Sequence, residues 1–89
     1  MKAIITVIGK DRVGIIATIS AILAENNVNI VNISQTIMQD IFTMIMFVDI
    51  SNSSRGVGEL SSKLETKGDE LGLTIKVQHE DIFNSMHRI

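Results

Sequence analysis

"IGKDRVGIIATISAIL", Ile8 to Leu23, enters as the end of a β-branched strand and leaves as an amphipathic helix. Between the two lies a glycine-bounded knot, Gly9-Lys10-Asp11-Arg12-Val13-Gly14. Upstream, residues 2–8 alternate and branch as a strand does. Downstream, the spacing predicts a helix over residues 12–26. Val13, Ile16, Ala17, Ser20, Leu23 and Ala24 recur at helical intervals, and Ile15, Ile19 and Ile22 widen the stripe. Glu25-Asn26-Asn27 ends that helix, because asparagine accepts the left-handed conformation a helix stop often needs.

The rest of the chain extends this opening unit. Residues 28–38 read as a second strand, Gln39-Asp40 as a tight turn, and residues 41–50 as a third strand antiparallel to the second. Ser51-Asn52-Ser53-Ser54 makes a turn and supplies N-caps for a second helix. Val57, Leu60, Leu64 and Leu71 share one stripe of that helix, which stops at Gly72. Residues 73–79 form a fourth strand, and Asp81 caps a short C-terminal helix. The order is βαββαβ with a tail, residues 1–80 forming the domain and 81–89 an amphipathic helical tail. Right-handed crossovers turn this order into an α+β, ferredoxin-like sandwich. Its four-stranded antiparallel sheet has order 4-1-3-2, with both main helices on one face.

Strand patterns agree with that order. Leu73, Ile75 and Val77 alternate with Thr74, Lys76 and Gln78, as on an edge strand with one wet face. The third strand is apolar on both faces: Phe42, Met44, Met46, Val48 and Ile50 on one, Ile41, Ile45 and Phe47 on the other. The face without the main helices therefore needs a cover for Ile45 and Phe47. Either the tail stripe Ile82, Phe83, Met86 and Ile89 or a second subunit is expected to supply it.

Composition narrows the class. A chain of 89 residues makes one domain, and aromatic residues are only 3% of it, so isoleucine, valine, leucine and methionine must fill the core. Absence of cysteine excludes thiolate metal sites and disulfides, and a cytoplasmic setting is expected. A net charge of −2 gives no reason to expect nucleic acid, and the apolar start is too short for a membrane span. No cofactor is implied.

The knot has parts that could hold an anion. Asp11 is expected to cap the helix, unpaired amides lie beside it, and Gly14 has no side chain to keep a ligand off the backbone. A plainer reading has Asp11 itself satisfying those amides and Gly14 only bringing the helix close to the sheet. A phosphate loop is excluded, because Ile15-Ile16 stands where lysine and a hydroxyl residue would be needed.

Over residues 3–79 the chain resembles an ACT domain, a small ligand-binding regulatory module. The resemblance rests on Gly9-x-Asp11-Arg12-x-Gly14-Ile15, a following helix, and then "NVNIVNISQ". Similar openings occur in the ACT domains of formyltetrahydrofolate deformylase and the glycine cleavage repressor, and the whole chain resembles free-standing single ACT domains. The resemblance implies a non-catalytic homodimer, with an amino acid or other small effector between subunits. It assigns Gly9, Lys10, Asp11, Arg12, Val13 and Gly14 of one copy to the ligand, with Asn29 and Ile30 of the other. Many relatives carry proline where Val13 stands, so this loop is less fixed in angle. Further pairing of dimers, or a partner protein, stays open.

Elsewhere the residues have plainer readings. Apolar parity slips between Ile30 and Val31, which predicts a bulge in the second strand. Asn26 and Asn27 are read as turn residues, and Gln35 and Thr36 as a polar edge. His79, Glu80, Asp81 and His87 have no metal-ligand spacing, so both histidines are read as structural or solvated. Two alternatives remain: a module that binds a partner protein through its sheet without ligand, and an acylphosphatase-like hydrolase using Arg12. The second lacks an asparagine on its third strand. An RNA-binding module of the same order would need stacking aromatics on its first strand, which has none.

Overall fold

The structure, a computed structural model, describes residues 1–54 and 56–81. Its elements are β1 (Lys2–Lys10), α1 (Ile15–Glu25), β2 (Asn29–Met38), β3 (Ile41–Asp49), α2 (Val57–Leu71) and β4 (Leu73–His79). All strand pairs are antiparallel and the order is β2-β3-β1-β4, the arrangement that right-handed crossovers require. The result is a ferredoxin-like βαββαβ sandwich with both helices on one face of the sheet. Among the described residues no helix is long and apolar enough to cross a bilayer. The tail stripe from Ile82 onward lies outside the described residues.

Strand alternation builds the core. Ala3, Ile5 and Val7 of β1, Phe42, Met44, Met46 and Val48 of β3, and Leu73 and Ile75 of β4 are buried on the helix side. They meet Ile15, Ile19, Ile22 and Leu23 of α1 and Leu60 and Leu64 of α2. In α1 this differs from the expected stripe. The helix starts three residues later than predicted, so Val13 lies outside it and is fully exposed, while Ile16, Ala17 and Ala24 also face outward. Two neighbouring stripes fit the helical period in so apolar a segment, and the sheet takes the one with the longer side chains.

Both expected N-caps move as well. Gly14 stands at the start of α1 and Gly56 at the start of α2, neither making a side-chain cap bond. The stops are as predicted: Gly72 is left-handed (φ 72°) at the end of α2, and Asn27 is left-handed (φ 58°) after α1. Register shifts between Ile30 and Asn32, which places the predicted bulge at Val31.

Helix α2 lies close on β4 because of Gly68. A methyl group there would sit 2.9 Å from the Leu73 carbonyl oxygen and 3.0 Å from Ile75 Cγ1. On the opposite face of the sheet, Lys2 Nζ stands 5.6 Å from the centre of the Phe47 ring. Ile45 on that face is 44% exposed in the single chain, and Ile8 and Ile41 are exposed with it.

The same substitution should therefore act with opposite sign at two places in α2. Gly68→Ala should destabilise by roughly 1–3 kcal/mol through overpacking. Gly58→Ala meets nothing within 4 Å and should stabilise by about 0.5–1 kcal/mol. Urea midpoints at unchanged slope measure both.

Candidate functional site

The knot between β1 and α1 is held from three sides. Gly9 lies in register between Leu73 and Phe42, and a methyl group on it would come within 2.5 Å of Leu73 Cδ2 and 3.1 Å of the Gly72 carbonyl oxygen. It is glycine for room, not for an unusual backbone angle. The Asp11 N–H donates to the Asp40 carbonyl at 2.7 Å, tying the knot to the β2–β3 turn. Arg12 Nη1 donates to the Leu71 carbonyl at 3.1 Å, a cation on the last turn of α2 where the helix dipole favours it.

Gly14 has φ 91° and open space around its Cβ direction. It is there for conformation, and the close-packing role considered for it falls to Gly9 and Gly68. Asp11 does not cap α1, so the amides at the helix start have no carboxylate cap. The first helical bond runs from Thr18 N–H to the Gly14 carbonyl, leaving the N–H groups of Ile15, Ile16 and Ala17 ahead of it.

These amides border a cleft of about 300 Å³ whose walls include Asp11, Ile16, Ala17, Gln35, Ile37 and Phe42. Gln35 and Ile37 were missed in the sequence, where Gln35 reads as ordinary edge polarity. The available signal was their parity with Ile33, on the helix side of β2. They stay exposed because α2 packs on β4 and the buried stripe of α1 turns into the core, leaving this end of β2 uncovered. A smaller cleft of about 240 Å³ lies behind the knot, between Arg12, Val13, Thr18 and Leu71.

Asn29 and Ile30 are at the other end of the sheet. Asn29 pairs with Asp49 and Asp49 with Lys2, whereas Lys10 pairs with Ile41 and Ile41 with Met38. The length of β1 separates them from the knot, roughly 25 Å at the usual rise. One chain does not bring the two halves of the expected site together. Asn29 is exposed; Asn26 is buried with Nδ2 donating to the Ile22 carbonyl, and Asn32 Oδ1 accepts from Ile33 N–H.

Beside Asn29, two bonds from Ser51 hold the Asp49 carboxyl below its ordinary range, first from the hydroxyl (2.6 Å) and then from the backbone N–H (2.9 Å). Past β4, the chain turns helical at Glu80 and Asp81, and His79 Nδ1 accepts the Asp81 N–H at 3.2 Å. His79 thus takes the cap position expected of Asp81. Among the described residues there is no cluster able to hold a metal ion.

A βαββαβ sandwich whose first loop opens on a bare edge strand is the architecture of a small α+β module, and the fold alone leaves its role open. Residues 2–78 match the model of the ACT domain family. The chain is 60% identical over 89 residues to a UPF0237 protein of Clostridium acetobutylicum, covering 100% of both. It also superposes on an ACT domain protein from Streptococcus pneumoniae with TM-score 0.81 and 42% identity, covering 93% of each chain. The chain belongs to the ACT domain family. The fold recurs at 20% identity in a formyltetrahydrofolate deformylase from Pseudomonas syringae (TM-score 0.80, 88% of this chain and 27% of that one). It recurs again at 21% identity in a protein described as a glycine cleavage system transcriptional repressor (TM-score 0.73, 89% and 47%). This chain is accordingly a small, non-catalytic ACT-fold regulatory domain of the kind that binds small effectors, often as a dimer.

Two outcomes test the site's local physics. Gly14→Ala should cost about 1–2 kcal/mol from left-handed strain alone, read as a lower urea midpoint. For Asp49, a depressed carboxyl contributes stability that is present above its ordinary pKa of 3.8 and is lost as pH falls through its lower folded value. In Asp49→Asn, stability should fall less steeply than in the parent below that pH, as pH-resolved urea melts would record.

Proposed function

We propose that two copies pair through their β2 edges and that an amino acid binds where the knot of one meets the β2 start of the other. The observation that carries this reading is the bare helix side of β2. Ile33, Gln35 and Ile37 lie there without a covering helix, beside the cleft of the knot. An exposed ten-residue edge strand is a template for another strand. Antiparallel pairing about its middle sets Asn29 and Ile30 of the partner subunit opposite Ile37 and Met38, at the knot's end of the sheet. The two halves that one chain holds apart then form one pocket.

Its chemistry suits a zwitterion. Amides at the start of α1 favour a carboxylate and the Asp11 carboxylate suits an ammonium, while at the start of β2 it is Ile30 that lies on the helix side, with Asn29 on the other face of the strand. Gly9, Lys10, Arg12 and Val13 frame that seat, with Arg12 bracing it against α2. Effector bound across the boundary would favour one arrangement of the dimer, or of a complex with a partner, by differential affinity. Without cysteine, such a sensor suits the cytoplasm.

Light scattering should give a dimer for the parent chain. Ile33→Lys, which sets like charges near the two-fold axis, should give a monomer that still folds, since Ile33 is exposed. An amino acid at a hundred times its Kd should raise the parent's melting temperature by about 10–20 °C and leave that variant unmoved. A ligand-free dimer across all amino acids, together with capture of a partner protein on the sheet, would favour the interaction-module reading instead.

A further inference from the structure

We infer that the cleft beside the knot selects amino acids with aliphatic side chains. This rests on the amino-acid reading above and adds what the pocket does with the rest of the ligand. The cleft is lined by two unlike sets of groups: Asp11, Arg12 and the opening backbone amides of α1, and the apolar side chains of Ile16, Ala17, Ile37 and Phe42. Phe42 is buried and forms the floor, while Ile37 is 52% exposed and Ile16 36%. These two isoleucines therefore still have apolar surface to withdraw from water, and a hydrocarbon side chain laid between them would withdraw it.

Charge argues the same way. Asp11 offers one carboxylate for the α-ammonium and Arg12, which also lines the cleft with Nη1 on the Leu71 carbonyl, offers one cation for the α-carboxylate, so the ligand's own zwitterion uses both charges. Apart from these two, only Gln35 among the lining side chains is polar, and it is neutral. A charged ligand side chain would enter without a counter-ion, at a desolvation cost. A cleft of about 300 Å³ has room for a side chain of leucine or methionine size.

Titration calorimetry on the full chain with glycine, serine, aspartate, lysine, valine, leucine and methionine tests this. Leucine, valine or methionine should bind at least about tenfold tighter than glycine or serine, and aspartate and lysine should be the weakest. Ile37→Ser should collapse the leucine-to-glycine ratio toward one. Ala17→Leu, which fills the cleft, should exclude leucine more than glycine; melting curves confirm that each variant folds. Binding of amino acids with no preference for an aliphatic side chain, or a preference untouched by both variants, overturns the selectivity and leaves the sensor reading standing. If no amino acid binds at all, both fall.

Discussion

Gly68 lacks a side chain, and α2 consequently lies against the Leu73 carbonyl and Ile75 at a separation no other residue would allow. That seat fixes the helical layer over β4. With α2 over β4 and Ile15, Ile19, Ile22 and Leu23 of α1 turned into the core, Ile30 at the start of β2 is packed but Ile33, Gln35 and Ile37 further along stay exposed. The bare strip of Ile33, Gln35 and Ile37 is the consequence. A layer centred on the sheet would bury those residues and close the cleft beside the knot. The candidate site thus depends on the helical layer leaving this end of β2 uncovered.

The knot itself joins two jobs. Its outer contacts, Asp11 N–H to Asp40 and Arg12 to Leu71, brace it against the β2–β3 turn and the end of α2. Its inner side leaves the amides of Ile15, Ile16 and Ala17 without a carboxylate cap, because the cap residue is a left-handed glycine. A serine or aspartate cap would saturate one of these donors and stiffen the helix start. A braced loop with open donors can accept a ligand without paying for its own ordering. The bulge at Val31 plays a parallel part on β2, twisting the edge where the asparagines cluster.

Much of this was readable in the residues. Element order with right-handed crossovers leads to the sheet order, and strand parity agrees with it, since β3 is apolar on both faces and β4 on one. The slip at Ile30-Val31 gave the bulge, and Gly72 gave the end of α2. Other features were not readable. In α1 two adjacent stripes have the same period, so only the sheet's position chooses Ile15, Ile19, Ile22 and Leu23. Asp11 has the chemistry of a helix cap, yet its backbone is committed to Asp40 across the sheet end. Gly9 and Gly14 look alike in a string of letters; one is required by the crowding of Leu73 and the other by its backbone angle.

The split follows from range. Element order, strand faces and helix stops are local properties, set by side-chain alternation and backbone preference over a few residues, and the linear chain carries them in full. Which edge is left uncovered, which glycine yields to a neighbour, and whether Gln35 and Ile37 face solvent or a cleft depend on contacts between residues far apart in the chain. Those contacts exist only once α2 has settled on β4, so they belong to the folded domain and not to any one segment of it.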